Sequence, residues 1–247
     1  MKIFLIDNDI DGLLSGLFVS FTEKIYPDQV WDKTVYQPRL DAIGINVEKD
    51  TAKAERVKKA LYNYGGNDVI AHLRVCLSSC SPQALSTAFF YAHYMLEKRC
   101  DVSEHMNDKR VSDFSYTVQK VLHERHIMTG FLRFMQSSNG VMYAPYEPDN
   151  DITSLLAPHF LRRLGITPFV IHDVKRNKVA VSNGKTIKIM HTDLPPNFCP
   201  SDNEQHFSLL YKKYFKHINI TERPHKKQQD SYFPRRYRKY CFETWEH

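Results

Sequence analysis

The sequence predicts an α+β protein: a mostly helical N-terminal half, a small, mostly antiparallel sheet and a basic C-terminal arm. Three observations carry that prediction. Over residues 1–110 the apolar residues recur mainly at helical spacing. From Val121 to Met190 the chain reads as a helix end, a strand pair, a helix with two adjacent arginines, and a second strand pair. That second pair is closed by Asn183-Gly184, a two-residue turn whose backbone twist matches that of paired strands. Finally, from Tyr211 onward ten Lys and Arg face four Asp and Glu, while the other 210 residues carry 24 of each sign. The whole formal net charge of +6 therefore belongs to one terminal segment, the pattern of a polyanion-binding arm. At 247 residues a sizeable core is available, and 1–247 is read as a single compact unit. Its sub-regions are 1–110, mostly helical; 111–191, a helix plus β-hairpins; and 192–247, a helix followed by the arm.

Lys2 to Ile6 reads as a short strand, followed by an Asp-rich turn and an apolar helix from Leu13 to Tyr26. Asp7-Asn8-Asp9-Ile10-Asp11-Gly12 fails as a calcium loop, because the twelfth position is Phe18 where a bidentate Glu is needed. A strand ending in Asp7-Asn8-Asp9 also fits an aspartyl phosphotransferase nucleophile; the simpler reading is that these aspartates cap the helix and complement its dipole. Trp31 to Asp50 shows no period and is read as containing a connector. Thr51 to Tyr64 is a helix with Val57, Ala60, Leu61 and Tyr64 on one stripe, ended by Gly65-Gly66. Asp68 to Arg99 gives two packed helices broken near Pro82, with Phe89, Phe90, Tyr91 and Tyr94 in the core.

Ser112 to Met128 is an amphipathic helix with Phe114, Val118, Val121, Leu122 and Met128 along its stripe. Arg125 falls in that stripe and must snorkel or meet an anion. Gly130 breaks the helix, and Phe131 to Met135 then pairs antiparallel with Val141 to Tyr146. Asp149 or Asp151 caps a helix carrying Ile152, Leu155, Leu156, Phe160 and Leu164. Pro158 bends it or starts a fresh turn, His159, Arg162 and Arg163 occupy its last turn, and Gly165 stops it. Phe169 to Asp173 alternates, so His172 and Asp173 point to opposite sheet faces and cannot ligate one metal together. Asn203 to Phe215 is read as a helix, and after Ile220 tyrosines and Phe233 interleave with the basic residues.

These features bound the chemistry. The five cysteines, Cys76, Cys80, Cys100, Cys199 and Cys241, form no dense framework and read as reduced thiols of a cytoplasmic protein. Cys76 and Cys80 lack further ligands at suitable spacing; a three-cysteine radical-SAM motif needs one at residue 83, which is Gln83. No metal site and no cofactor are expected. The apolar start is interrupted by Asp7, so no signal peptide is read, and no run approaches the roughly 20 apolar residues that span a bilayer. No membrane partner is expected. His126, His159 and His172, with Asp173, are the candidates for acid-base chemistry. Arg133, Arg162, Arg163 and Arg176 are candidates for an anionic site. In the arm, Arg223, Lys226, Lys227, Arg235, Arg236 and Lys239 would meet phosphates while the tyrosines stack on bases. Pro148-Asp149 followed by Asp173-Val174-Lys175 also imitates a nuclease pattern in which two acids hold Mg²⁺ and a lysine supports the attacking water.

Several motifs carry a resemblance: Asp7 through Leu14 (DNDIDGLL); Glu124, His126, Met128, Phe131, Arg133 and Phe134; Leu155 through Phe160 with Arg162-Arg163; and Ile171-His172-Asp173 with Arg176. Tyr214-Phe215, Glu222-Arg223 and Pro234 through Tyr237 with Lys239-Tyr240 complete them. Across nearly the whole chain they resemble a bacterial family described as DNA repair or DNA metabolism proteins, a domain of unknown function. Its members are commonly encoded beside a radical-SAM protein, and some are fused to a uracil-DNA glycosylase-like domain. The chain departs from the family at Asn8, at His225-Lys226 and at Arg238, where Gly, Asn-Pro and Trp are usual. The resemblance implies a DNA-binding accessory acting with a radical-SAM partner or a uracil-DNA glycosylase-like protein, and it assigns no catalytic residue. The alternative expectation is a metal-dependent nuclease or base-processing enzyme.

Overall fold

Residues 3–6 read IFLI, an uninterrupted apolar run in which Ile3, Phe4 and Ile6 are all fully buried. A strand buried on both faces is the signature of a parallel sheet, and that is what forms. In the computed structural model, which describes residues 1–192, 201, 204 and 234–241, β1 (Lys2–Ile6) is the middle of a three-stranded parallel sheet. Its neighbours are β2 (Gln29–Asp32) and β3 (Ile43–Asn46), in the order β2-β1-β3. The chain divides into two compact units, Met1–His123 and Glu124–His247, where the sequence was read as one.

In the first unit, α1 (Ile10–Thr22) starts at Asp9, whose carboxylate accepts from Gly12 N at 2.8 Å. Asp50 does the same for α2 (Thr51–Gly65), accepting from Lys53 N at 3.1 Å. The following helices are α3 (Asp68–Leu77), α4 (Ala84–Lys98) and α5 (Lys109–Phe131), the last continuing into the second unit. Phe89 meets Phe4 edge-on at 6.0 Å, and Tyr91 stacks on Phe114 at 3.8 Å, so the aromatic run does build core. Phe90 is the exception, only half-buried. The thiol of Cys76, buried in the same unit, is pushed up to about 12 by burial and is inert as a nucleophile at neutral pH.

One expectation is extended here and another corrected. Trp31 to Asp50 does contain a connector, residues 33–42, and it also holds the end of β2 and the whole of β3. β3 is a four-residue edge strand whose residues are mostly exposed, so no apolar alternation announces it; β1 recruits it through backbone hydrogen bonds. A mostly antiparallel sheet describes only the second unit, because the first unit's sheet is parallel throughout.

The second unit holds a five-stranded sheet in the order β4 (Met135–Gln136), β5 (Met142–Tyr146), β6 (Phe169–Asp173), β7 (Lys178–Ser182), β8 (Ile187–His191). Three of its four pairings are antiparallel; β5 and β6 run parallel and are joined by the crossover helix α6 (Thr153–Leu164). Ala144, Ile171 and Ala180 stand side by side across β5, β6 and β7, fully buried, with Leu156, Ala157 and Phe160 of α6 also buried. Phe134 bridges the layers, 4.9 Å from Phe160 and 6.1 Å from Phe169. Pro158 lies inside α6 without ending it.

Gly130 does not break its helix either. α5 runs through it to Phe131, so the strand expected over Phe131 to Met135 shrinks to the two residues of β4. One helical glycine costs only about 1 kcal/mol against alanine. Side chains also finish the helix end: Arg133 Nη1 donates to the Gly130 carbonyl at 2.7 Å and Arg163 Nη1 to that of Thr129 at 3.3 Å. The β7–β8 connection has four residues, since Ser182 pairs with Ile187, not the two expected. Asn183 Oδ1 gathers it, accepting from Lys185 N at 3.0 Å and Thr186 N at 2.9 Å. Gly184 there has φ +85°, and a Cβ on it would collide with the Ile166 carbonyl. Among the described residues no helix is long and apolar enough to cross a membrane. The helix expected over Asn203 to Phe215 lies almost wholly outside the described residues.

Candidate functional site: a polar clamp and a cationic helix-end surface

The polar residues of the second unit sort into two groups. The first is centred on Glu124, a buried carboxylate only 5% exposed. Its Oε1 accepts from Asp149 N and from the Tyr237 hydroxyl, both at 2.7 Å. Its Oε2 accepts from Asn150 N at 2.9 Å and Asn150 Nδ2 at 2.6 Å. A buried charge is tolerated where its lone pairs are filled in this way. Burial, and then the adjacent Glu124 carboxylate, push the Tyr237 phenol far above its usual range, so it stays protonated and remains a donor.

The same clamp captures the described part of the basic arm, Pro234 with the 3-10 helix Arg235–Tyr240 and Cys241. Arg236 Nε lies 3.2 Å from Asp149 Oδ2, and Lys239 Nζ lies 2.6 Å from Glu147 Oε1, which also accepts from the Tyr240 hydroxyl at 2.7 Å. Hydrogen bonds from Lys239 and Tyr240 hold the Glu147 carboxyl below the ordinary range. Arg176 staples the loop from behind: Nη1 reaches Asp173 Oδ2 at 2.8 Å and the Pro148 carbonyl at 3.1 Å, and Nη2 donates to the Asp149 carbonyl. Asp173 is fully buried; burial raises its pKa, and Arg176 only partly opposes the shift. Lys178 pairs with Asp151 at 2.6 Å.

The second group lies where α5 and α6 end. His159, Arg162 and Arg163 project from the last turns of α6, and Arg163 touches the end of α5 through Thr129. Burial, then the positive charges of Arg163, Arg162 and Arg125, hold the His159 imidazole below its ordinary value. Three guanidinium groups thus act on one ring, and none of Arg125, Arg162 or Arg163 makes an ion pair among the described residues. All three are exposed. Exposed guanidinium groups without ion pairs give positive local potential, the condition for attracting an anion.

The sequence-derived candidates therefore part company. His159, Arg162 and Arg163 share the last turns of α6, and Arg133 lies at the end of α5, which Arg163 touches. Arg176, Arg236 and Lys239 belong to the clamp, and Arg235 is exposed on the docked 3-10 helix. Arg223, Lys226 and Lys227 lie outside the described residues. His126 is exposed on α5. His172 is buried on the sheet face opposite Asp173, as the alternation required, with Nδ1 2.8 Å from the Tyr143 hydroxyl and Nε2 buried without a hydrogen-bond partner. Burial lowers its pKa and pushes that of Tyr143 up to about 12. Of the three residues in the nuclease-like pattern, Asp149 pairs with Arg236, Asp173 pairs with Arg176, and Lys175 is exposed.

Sequence reasoning placed Arg125 in the apolar stripe of its helix, but Glu124 occupies the buried position and Arg125 is exposed. Counting Leu122 into the stripe displaced it; the buried side chains of α5 are Val111, Phe114, Val118, Val121, Glu124 and Met128, spaced by three or four. Glu124 stands three residues after Val121 and four before Met128, a visible signal of a buried charge.

The second unit is thus a mixed-sheet α/β module that carries a fully paired polar clamp and an arginine-rich helix-end surface. The chain belongs to the family described as Domain of unknown function (DUF4130), which matches residues 82–243, more than half of its length. All the candidate residues named above fall within the match, while the Asp7–Leu14 motif precedes it. No curated protein matches the chain.

Proposed function

We propose that this protein is a nucleic-acid-binding accessory of DNA metabolism, which holds a strand for a partner enzyme of the radical-SAM class. The observation that carries the reading is that Arg125, Arg162 and Arg163 stand exposed on the late turns of α5 and α6, which meet where Arg163 Nη1 donates to the Thr129 carbonyl at 3.3 Å, and that none of the three makes an ion pair among the described residues. Guanidinium groups make charge-assisted hydrogen bonds to phosphate oxygens, and each phosphate neutralised releases counterions. The role of the arm changes accordingly: with Arg236 and Lys239 engaged by Asp149 and Glu147, the first grip falls to the α5–α6 surface. A nuclease or base-processing activity has no comparable support, because Asp149 and Asp173 are both committed to arginines.

Fluorescence anisotropy with single- and double-stranded DNA over a salt series tests the binding. The wild type is expected to weaken steeply with salt, and Arg125→Ala with Arg162→Ala to flatten the logarithmic slope by about two, one per lost phosphate contact, whatever the DNA sequence. An unchanged slope, or no salt-sensitive binding by the wild type, overturns the proposal. The partnership is read separately: a tagged chain should retain the radical-SAM protein, or a uracil-DNA glycosylase-like protein, through purification from its own cells. Recovery of neither removes that part.

A further inference from the structure

We infer that a second site lies in the first unit: a cavity between β2, the start of α4 and the start of α5 that takes a heteroaromatic anion of the nucleoside monophosphate class. The cavity measures about 350 Å³, within the roughly 300–1,000 Å³ of small-molecule sites. It is independent of the cationic surface on the second unit.

Its two aromatic walls are Trp31 and Phe90. Both are held by neighbours: Trp31 Nε1 donates to Gln29 Oε1 at 2.9 Å, and Phe90 meets Phe89 edge-on at 5.7 Å and Tyr26 at 5.7 Å. Phe90 is the half-buried member of an otherwise buried aromatic run, which leaves part of its ring for a ligand. The two elements carrying these walls are locked together by Ser86, whose hydroxyl donates to the Val30 carbonyl at 2.7 Å and accepts from Val30 N at 2.8 Å. The aromatic surfaces are therefore preorganised, and flat π-systems stack on such surfaces irrespective of base identity.

The polar lining narrows the ligand. The Gln29 carbonyl is taken by Trp31, leaving its amide nitrogen to donate, and Gln83 at the rim offers a second side-chain amide. Amides of this kind read the donor and acceptor edge of a base. Arg110 lines the cavity but its charge is already matched, with Nη2 2.7 Å from Asp108 Oδ2 and the guanidinium 3.9 Å above the Tyr94 ring. Lys109 is the exposed cation remaining, without an ion pair among the described residues, and Asp113 lies on the same wall. One available cation beside one carboxylate suits a single phosphate and disfavours a di- or triphosphate. A wholly apolar ligand would strip water from Gln29, Gln83 and Lys109 without replacing it.

Calorimetric titration of the full chain with the four nucleoside 5′-monophosphates, a 5′-phosphorylated tetranucleotide and inorganic phosphate tests the assignment. At least one mononucleotide is expected to saturate, with Trp31→Ala weakening it tenfold or more. Lys109→Gln should weaken the mononucleotide several-fold while leaving the matching nucleoside unchanged. Saturation by the tetranucleotide alone also supports the site and identifies a strand end as the source. The inference is overturned if neither nucleotide form saturates, if inorganic phosphate binds as well as the mononucleotides, or if folded Lys109→Gln binds like the wild type. Arg125→Ala with Arg162→Ala should leave this titration unchanged, so failure of the DNA-binding surface and failure of this cavity are read apart.

Discussion

Glu124→Ala is expected to destabilise the protein by about 3–5 kcal/mol, because it removes the acceptor that four donors share. The substitution strands four donors at once: two backbone amides, the Asn150 side-chain amide and the Tyr237 hydroxyl. Water cannot reach them freely, because Asn150 and Tyr237 are buried along with Glu124. Each unsatisfied buried donor costs about 1–3 kcal/mol, and local relaxation recovers part of the sum. Glu124→Gln should cost less, since one oxygen still accepts while the new amide nitrogen faces donors. Tyr237→Phe removes a single donor and should cost about 1 kcal/mol. Urea unfolding at constant slope measures all three. A loss below about 1 kcal/mol for Glu124→Ala would mean that the loop and the 3-10 helix are held by something else.

How much of this was legible beforehand depends on the range of each interaction. The α6 helix, with its apolar spacing, its terminal arginines and Gly165, could be read locally because every signal lies within a few residues. So could the alternation that sends His172 and Asp173 to opposite faces. The parallel pairing of β5 with β6 was not legible as such, since a strand's own residues do not name its neighbour. A crossover helix between two strands was nevertheless present in the pattern. The clamp was the least legible: Tyr237 reaches Glu124 across 113 positions, and Lys239 reaches Glu147 across 92. A basic terminal stretch looks the same in sequence whether it waits for a polyanion or lies against carboxylates of its own chain. The acids at Glu147 and Asp149 decide the question for Arg236 and Lys239, and only the fold brings them together.

Arg176→Ala carries the other large effect, about 3–5 kcal/mol at neutral pH, and its pH dependence has a sign that distinguishes it from simple loss of packing. Asp173 is fully buried, and burial raises its carboxyl while Arg176 pulls it partly back. Without the guanidinium the opposing pull is gone, and the folded-state pKa rises further above the unfolded value of about 3.9. Between those two values the folded chain holds a proton that the unfolded chain has shed. Stability in the variant is therefore lost as pH rises through that window, and is recovered as pH falls towards the unfolded pKa. The penalty relative to wild type should be greatest at pH 7 and shrink steadily towards pH 4, because the other carboxylates titrate in both proteins and cancel in the difference. Asp173→Asn in the Arg176→Ala background should recover part of the loss at pH 7, as it removes the stranded charge while the Pro148 and Asp149 carbonyls stay without their donor. Urea midpoints at the two pH values decide the matter: an equal penalty at both, or a larger one in acid, would show that Arg176 does not act through the buried carboxylate.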